Sequence, residues 1–197
     1  MNKLNTVLDN LIKKRWSVVE NYFPQSLCAD LNSELQQFHS HNLLVAAKIG
    51  KNQQKHRQQT FRGDSILWLS YASQAQQDFL DLMEELRNLL NHELFLGLDE
   101  LESHFAHYPA GTGYKKHLDS FKNNNLRRIT IVSYLNPTWS TEDGGELIIY
   151  GAGDTVIASV QPIAGTLVCF VSEEFPHEVV IAHQARASIA GWFRGRG

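Results

Sequence analysis

Cysteine is scarce in this sequence of 197 residues. Cys28 and Cys169 are its two cysteines, and each lies within an apolar pattern rather than in a pair separated by two residues. A disulfide framework and a cysteine-based zinc site therefore have no support. The sequence instead indicates a protein of a reducing compartment.

Long apolar runs and an excess of positive charge are also missing. Apolar runs such as 43–47 and 166–171 are far shorter than the roughly 20 residues that cross a bilayer. The formal net charge is -3, which argues against a nucleic-acid partner as well. The apolar residues of the predicted N-terminal helix are interrupted by Asp9, unlike a secretion signal. We therefore expect a cytoplasmic protein with no membrane partner.

Helical patterns occupy the first hundred residues. Apolar residues between Leu4 and Ile12 recur at helical spacing, Pro24 opens a second helix, and a long apolar stripe predicts a third helix over 73–93. A short strand is expected within 16–23. The polar segment 48–59 has four lysine and arginine residues, four glutamines and no acid, so we expect a mobile loop that closes over a substrate.

Short strand patterns separated by turn residues replace the helical period after Leu101. Eight strands are predicted, over 102–108, 114–118, 127–135, 146–150, 155–160, 166–171, 177–181 and 187–193. This spacing favours an α+β fold built on a double-stranded β-helix, or jelly roll, with the N-terminal helices packed outside one sheet. We expect one domain over 1–197, with helix-rich support in 1–100 and the jelly-roll core in 101–197.

Three residues form a candidate metal site. His117 and Asp119 are separated by one residue in a strand-like segment, so their side chains project from the same face. His177, at the start of a late strand, supplies a third ligand. Two histidines and one carboxylate suit non-haem Fe(II) with open coordination positions, although hydrolytic zinc uses a similar set.

Arg186 is the candidate that distinguishes these metals. It lies on the strand after His177, where it is expected to point into the barrel mouth. A buried guanidinium requires an anion, and its planar fork matches a carboxylate. The alternative is a structural ion pair with a nearby acid such as Glu178.

The order His117-x-Asp119, His177 and Arg186 resembles the 2-oxoglutarate-dependent Fe(II) oxygenases. The flanking residues are similar to those of their prolyl hydroxylase branch, which includes the oxygen-sensing enzymes. The segments that carry this likeness are YPAGTGYKKHLD at 108–119, YLN at 134–136 with Trp139, GGEL at 144–147, PHEV at 176–179, Trp192, and FRGDSILW at 61–68. The resemblance covers roughly 45–193.

The resemblance implies a role for each matching residue. His117, Asp119 and His177 would be the catalytic iron ligands, and Arg186 would bind 2-oxoglutarate with help from the Tyr134 hydroxyl. The resemblance also implies that Tyr108 faces the 2-oxoglutarate pocket and that Trp192 and Arg62 lie near the substrate. Asp64 would pair with Arg127 or Arg128 and so fix the substrate-side loop. Without the resemblance, Tyr108 and Tyr134 would be ordinary buried tyrosines.

The implied activity is hydroxylation of a prolyl residue in an exposed loop of a cytoplasmic protein. Fe(II), 2-oxoglutarate and O2 would be required, ascorbate would support turnover, and succinate and CO2 would form. Ala190 replaces a threonine of the animal enzymes, and the zinc-finger extension is missing, so a bacterial-type relative acting on a cytoplasmic protein is the better fit. The resemblance to bacterial members implies a translation elongation factor as that protein. A small-molecule or free amino acid oxygenase and a non-catalytic or hydrolytic metal-binding barrel are the alternatives. We expect a monomer.

Overall fold

The computed structural model describes residues 2–47, 62–120 and 126–196. Its helices are α1 (Lys3–Lys14), α2 (Gln25–Ser40) and α3 (Gln74–Leu94). Its strands are β1 (Trp16–Val19), β2 (Val45–Ala46), β3 (Ser65–Trp68), β4 (Leu98–Tyr108), β5 (Thr112–His117), β6 (Arg127–Tyr134), β7 (Leu147–Tyr150), β8 (Val156–Val160), β9 (Leu167–Val171), β10 (His177–Ala182) and β11 (Arg186–Gly195). The predicted loop at 48–59 lies outside the described residues.

Local sequence signals explain where the helices begin and end. The Asn2 side chain accepts a hydrogen bond from the Leu4 amide at the start of α1, and Ser73 accepts one from the Gln76 amide at the start of α3. Helices α1 and α3 end at Arg15 and Phe95, which both adopt the left-handed conformation. None of the described helices combines the length and apolarity needed to cross a membrane.

The strands form two antiparallel sheets, an arrangement consistent with the expected jelly roll. The larger sheet has the order β1-β9-β6-β11-β4-β3-β2, and the smaller sheet has the order β5-β10-β7-β8. All eight strands predicted after Leu101 are present, with ends displaced by at most four residues. Strand β3 was not among the predicted strands, although the sequence marks its segment as apolar.

Two apolar clusters occupy opposite faces of the larger sheet. One cluster joins buried residues of all three helices, such as Leu11, Leu31 and Met83, to sheet residues such as Ile131 and Ile189. The second cluster joins residues of both sheets. The alternation of side chains along each strand therefore supplies one face to the helices and the other to the space between the sheets.

Candidate active site

The three predicted metal ligands meet at one end of the smaller sheet. His117 ends β5 and His177 begins β10, and the two residues lie directly opposite each other in the antiparallel register. Their ring centroids are 4.3 Å apart. Asp119 follows β5 after one intervening residue, and its carboxylate reaches both imidazoles. Strand pairing thus joins residues that are 60 positions apart in the sequence.

The spacing of the ligand atoms fits a single metal ion. His117 Nε2 lies 3.6 Å from Asp119 Oδ1, and His177 Nε2 lies 3.4 Å from Asp119 Oδ2. All three ligand atoms lie within 4.8 Å of one another. Ligands bound about 2.1 Å from one ion are expected roughly 3 to 3.5 Å apart, so a small contraction would complete the site.

The second nitrogen of each histidine fixes the tautomer that a metal requires. The Lys115 carbonyl lies 2.8 Å from His117 Nδ1, and the Phe175 carbonyl lies 3.0 Å from His177 Nδ1. A carbonyl oxygen only accepts, so each Nδ1 donates a hydrogen. Nε2 of each ring is therefore the nitrogen that remains to bind a metal, on the side facing Asp119.

Burial and charge favour the protonation states that bind metal. Burial acts to raise the pKa of Asp119, but His177 and His117 outweigh it and hold this pKa well below its usual range. Burial lowers the pKa of His177. The carboxylate is therefore anionic and the His177 imidazole neutral at physiological pH, as metal coordination requires.

The guanidinium of Arg186 lines the same cavity as the metal ligands, and one of its nitrogens has no hydrogen-bond partner among the described residues. Its Nε donates to the Gly145 carbonyl over 2.9 Å and its Nη1 to Ser188 Oγ over 3.1 Å. The residue is 1% exposed, and its Nη2 has no hydrogen-bond partner within the described part of the chain. A buried cation with an unused donor indicates an anionic ligand.

Glycine makes room for this arginine. Gly145 has φ of 71°, and a Cβ at this position would lie 3.2 Å from Arg186 Cδ and 3.1 Å from the Trp139 ring. Any other residue would strain the backbone and crowd the Arg186 side chain. The alternative ion pair is not formed, because Glu178 accepts the hydroxyl of Tyr150 and no acid pairs with Arg186 among the described residues.

Two tyrosines flank the Arg186 guanidinium. Its carbon lies 5.1 Å from the ring centroids of both Tyr108 and Tyr134. Burial raises the pKa of Tyr134 to about 12 and also raises the pKa of Tyr108. The Tyr134 hydroxyl has no partner among the described residues, so it is a protonated donor available to a ligand beside Arg186.

One cavity between the sheets gathers most of the predicted site residues. Eight of the ten line it: His117, Asp119, His177, Arg186, Tyr108, Trp192, Arg62 and Asp64. Tyr134 is placed beside the cavity by its contact with Arg186, whereas Arg127 does not line the cavity and lies over the Trp192 ring, 3.5 Å from its centroid. The metal ligands and the unpaired arginine thus face a shared space.

The predicted pairing of Asp64 with Arg127 or Arg128 is wrong. Asp64 instead accepts two hydrogen bonds from Arg62, from Nε over 2.7 Å and from Nη2 over 2.9 Å. Arg127 pairs with Glu102, with its Nε 2.7 Å from Oε1. Arg62 lies two residues before Asp64 in extended backbone, so both side chains share one face and the local pair forms.

Sequence reasoning missed several polar residues of the cavity. Thr130 Oγ1 donates to Asp119 Oδ2 over 2.8 Å, and Ser188 holds Arg186. His104 also lines the cavity, where burial and Arg62 lower its pKa to about 4. The alternation of β6 offers one usable signal, because it places Thr130 on the same face as Tyr134.

Comparisons with known proteins agree with this geometry. The sequence model of the 2OG-Fe(II) oxygenase superfamily matches residues 103–194. A crystal structure of a Pseudomonas putida prolyl-4-hydroxylase is 38% identical, has a TM-score of 0.90, and the match covers 98% of this chain and 100% of that chain. A prolyl hydroxylase from Trichoplax adhaerens, solved in complex with a hypoxia inducible factor peptide fragment, matches at 24% identity over 98% of this chain and 89% of that chain, with a TM-score of 0.87.

A curated human relative, prolyl hydroxylase EGLN3, is 33% identical over 140 residues, which are 67% of this chain and 58% of that protein. The chain spans about half the length of the curated relatives that it matches first. The donor set, the unpaired buried arginine and these relatives lead to one conclusion. The chain belongs to the 2OG-Fe(II) oxygenase superfamily, and prolyl hydroxylases are among its relatives.

Proposed function

We propose that this chain is a dioxygenase that uses Fe(II), 2-oxoglutarate and O2 to hydroxylate a prolyl residue of a cytoplasmic protein. The observation that carries the proposal is the unpaired Arg186 guanidinium, which faces the same cavity as the His117, Asp119 and His177 cluster. A metal barrel without a co-substrate gives no reason to bury an arginine that lacks an anionic partner.

The residues present fit both bound groups. His117, Asp119 and His177 would hold the metal, and the Arg186 fork with the Tyr134 hydroxyl would hold the distal carboxylate of 2-oxoglutarate. When bound, these groups supply oxidative chemistry in which 2-oxoglutarate becomes succinate and CO2 while the substrate gains one oxygen.

The remaining cavity residues bind, orient and exclude water. The Gly145 carbonyl and Ser188 fix the direction of the Arg186 side chain. Val132, Leu147 and Val179 give the cavity wall an apolar surface that limits access of water. No side chain is required to act as a general base, so Glu178 is free to bond Tyr150.

The substrate class rests on the relatives. The Pseudomonas putida structure is a prolyl-4-hydroxylase, and the Trichoplax adhaerens enzyme was solved with a peptide fragment, which supports a proline within a polypeptide as the target. A translation elongation factor is the first substrate to test. We further propose that residues 1–197 act as one domain, in which the helices support the outer face of the larger sheet.

The test is oxygen transfer to protein-bound proline. The enzyme is incubated with Fe(II), 2-oxoglutarate, 18O2 and the elongation factor, and peptide mass spectrometry then locates labelled oxygen. We expect label on a prolyl residue with the native enzyme and with His183→Ala, an exposed histidine outside the cavity, but not with His177→Ala. Succinate formation without label on any protein proline, and with label on an added free amino acid, would favour the small-molecule alternative.

A further inference from the structure

Two buried hydroxyl groups lie directly behind the Asp119 carboxylate. Thr130 Oγ1 donates to Asp119 Oδ2 over 2.8 Å, and Ser172 Oγ lies 2.9 Å from Thr130 Oγ1. Thr130 is 2% exposed and Ser172 is fully buried. Neither hydroxyl binds the metal or 2-oxoglutarate in the proposed function, so their arrangement needs its own explanation.

The direction of both hydrogen bonds follows from their chemistry. An ionised carboxylate only accepts hydrogen bonds, so the single hydroxyl hydrogen of Thr130 is committed to Asp119. The bond between the two hydroxyls must then be donated by Ser172. The result is a one-way chain from Ser172 through Thr130 to Asp119, in which each donation polarises and strengthens the next.

The chain joins the two sheets at the metal site. Thr130 lies on β6 and Ser172 directly follows β9, and both of these strands are in the larger sheet. The Ser172 amide donates to the Arg128 carbonyl, which fixes its backbone against β6. His117 and His177 lie on the smaller sheet, and Asp119 follows β5 of that sheet. The hydroxyl chain therefore holds the carboxylate at a set position between the sheets.

We propose that Thr130 positions Asp119 for metal binding, and that Ser172 acts through Thr130. The hydrogen bond to Oδ2 fixes the rotation of the carboxylate about its Cβ–Cγ bond. A carboxylate held in this way does not have to be ordered when the ion arrives. The inference rests on the metal-binding part of the proposed function.

Co(II) binding to the metal-free protein tests this role without turnover. Visible absorption of the Co(II) complex reports both affinity and coordination. We expect Thr130→Val, which keeps the shape and removes the hydroxyl, to weaken Co(II) binding about tenfold or more, and Thr130→Ser to restore binding close to that of the native protein. Ser172→Ala should weaken binding less. Ser133→Ala is the matched control, because Ser133 lies on the same strand with a buried hydroxyl that has no partner among the described residues.

The double variant tests the order of the chain. If Ser172 acts through Thr130, then adding Ser172→Ala to Thr130→Val causes no further loss of Co(II) affinity. Additive losses would overturn that order. Should Thr130→Val fail to fold, the affinity of Ser172→Ala relative to Ser133→Ala decides the question.

The failure of the inference is distinguishable from failure of the proposed function. A native protein that binds no Co(II) would contradict the metal site itself. A native protein that binds Co(II) with the same affinity and spectrum as Thr130→Val would overturn the positioning role alone.

Discussion

The two faces of the larger sheet differ in what they bury. On β11, the side chains of Ala187, Ile189 and Phe193 join the apolar cluster shared with the helices, whereas Arg186 and Trp192 line the cavity. Neighbouring residues of one strand therefore serve stability and chemistry in alternation. The face toward the helices is mainly apolar packing, whereas the face toward the cavity buries charged groups and hydroxyls beside the metal ligands.

The cavity face also leaves polar atoms without partners. Among the described residues, the buried side-chain atoms of this face that lack hydrogen bonds include Arg186 Nη2 and the Tyr134 hydroxyl, while His107 Nδ1 and Ser133 Oγ are two such atoms outside the cavity. Such atoms cost stability in the free protein, because they have lost water and gained no partner. The comparison teaches that the helix face stabilises the fold and that the cavity face is completed by what it binds.

The largest expected effect on the cavity face comes from removing a ligand. Asp119→Ala should abolish turnover and reduce metal content, because the two histidines alone provide neither the negative charge nor the third donor. Succinate formation and metal analysis of the purified variant measure both effects. A variant that kept full metal content and full 2-oxoglutarate consumption would refute the ligand assignment.

A substitution on the face toward the helices should lower stability and leave 2-oxoglutarate binding unchanged. Ile189→Ala should lower the free energy of unfolding by about 2 to 5 kcal/mol, because it leaves a cavity at a fully buried position. Denaturant titration measures this loss, and Ile189→Val should cost roughly 0.5 to 1.5 kcal/mol. The KM for 2-oxoglutarate of the folded Ile189→Ala variant should be unchanged; a large change would show that the two faces are not separable.

A third prediction concerns the anion contact of the cavity face. Arg186→Ala should raise the KM for 2-oxoglutarate by about 10-fold to 150-fold, which corresponds to the roughly 1.5 to 3 kcal/mol of a hydrogen bond to a charged group. Steady-state kinetics at fixed iron concentration measures it, and Arg186→Lys should recover part of the loss. Arg194→Ala on the same strand removes a half-buried partner of Glu100 and Glu102 outside the cavity and should leave this KM unchanged.

The last prediction concerns pH dependence. The pKa of His104 falls to about 4 in the folded protein, since burial and Arg62 disfavour its charged form, whereas an unfolded histidine has a pKa of about 6.5. Between these values the unfolded chain binds more protons, so stability is lost as the pH is lowered from about 6.5 toward about 4. The contribution is at most about 1.4 kcal/mol per pH unit.

His104→Gln should flatten this part of the profile. Unfolding free energies of the metal-free protein, measured with a chelator present across that pH range, show the change in slope. His177 also has a lowered pKa and stays in the variant, so some pH dependence should remain. An unchanged slope would mean that His104 is not neutral in the folded state.

The sequence predicted strands well where alternation is local, and less well where distant residues extend them. Strand β4 was expected to start at Glu102, yet it begins at Leu98. The pairing between the start of β4 and the end of β11 is reinforced by two salt bridges, Arg194 with Glu100 and Arg196 with Asp99. These contacts link residues more than ninety positions apart, so no local pattern indicates them.

The same limit applies to the candidate site. His117, Asp119 and His177 could be predicted because spacing and the family resemblance both mark them, and the structure brings them together. The predicted partner of Asp64 was wrong, because the sequence offers several arginines as partners. The pairing with Arg62 depends on the course of the backbone between the two residues. Ser172 could not be predicted, since its role depends on contact with Thr130 across 42 positions.

The central claim is that the metal ligands and Arg186 bind the same molecule of 2-oxoglutarate. Anaerobic titration of the Fe(II)-loaded protein with 2-oxoglutarate tests this claim most directly. We predict that a visible absorption band of the iron and 2-oxoglutarate chelate appears and saturates in the native protein. In Arg186→Ala the same band should require about 10-fold or more 2-oxoglutarate. Absence of the band in iron-loaded native protein, or its appearance at the same concentration in Arg186→Ala, would contradict the account.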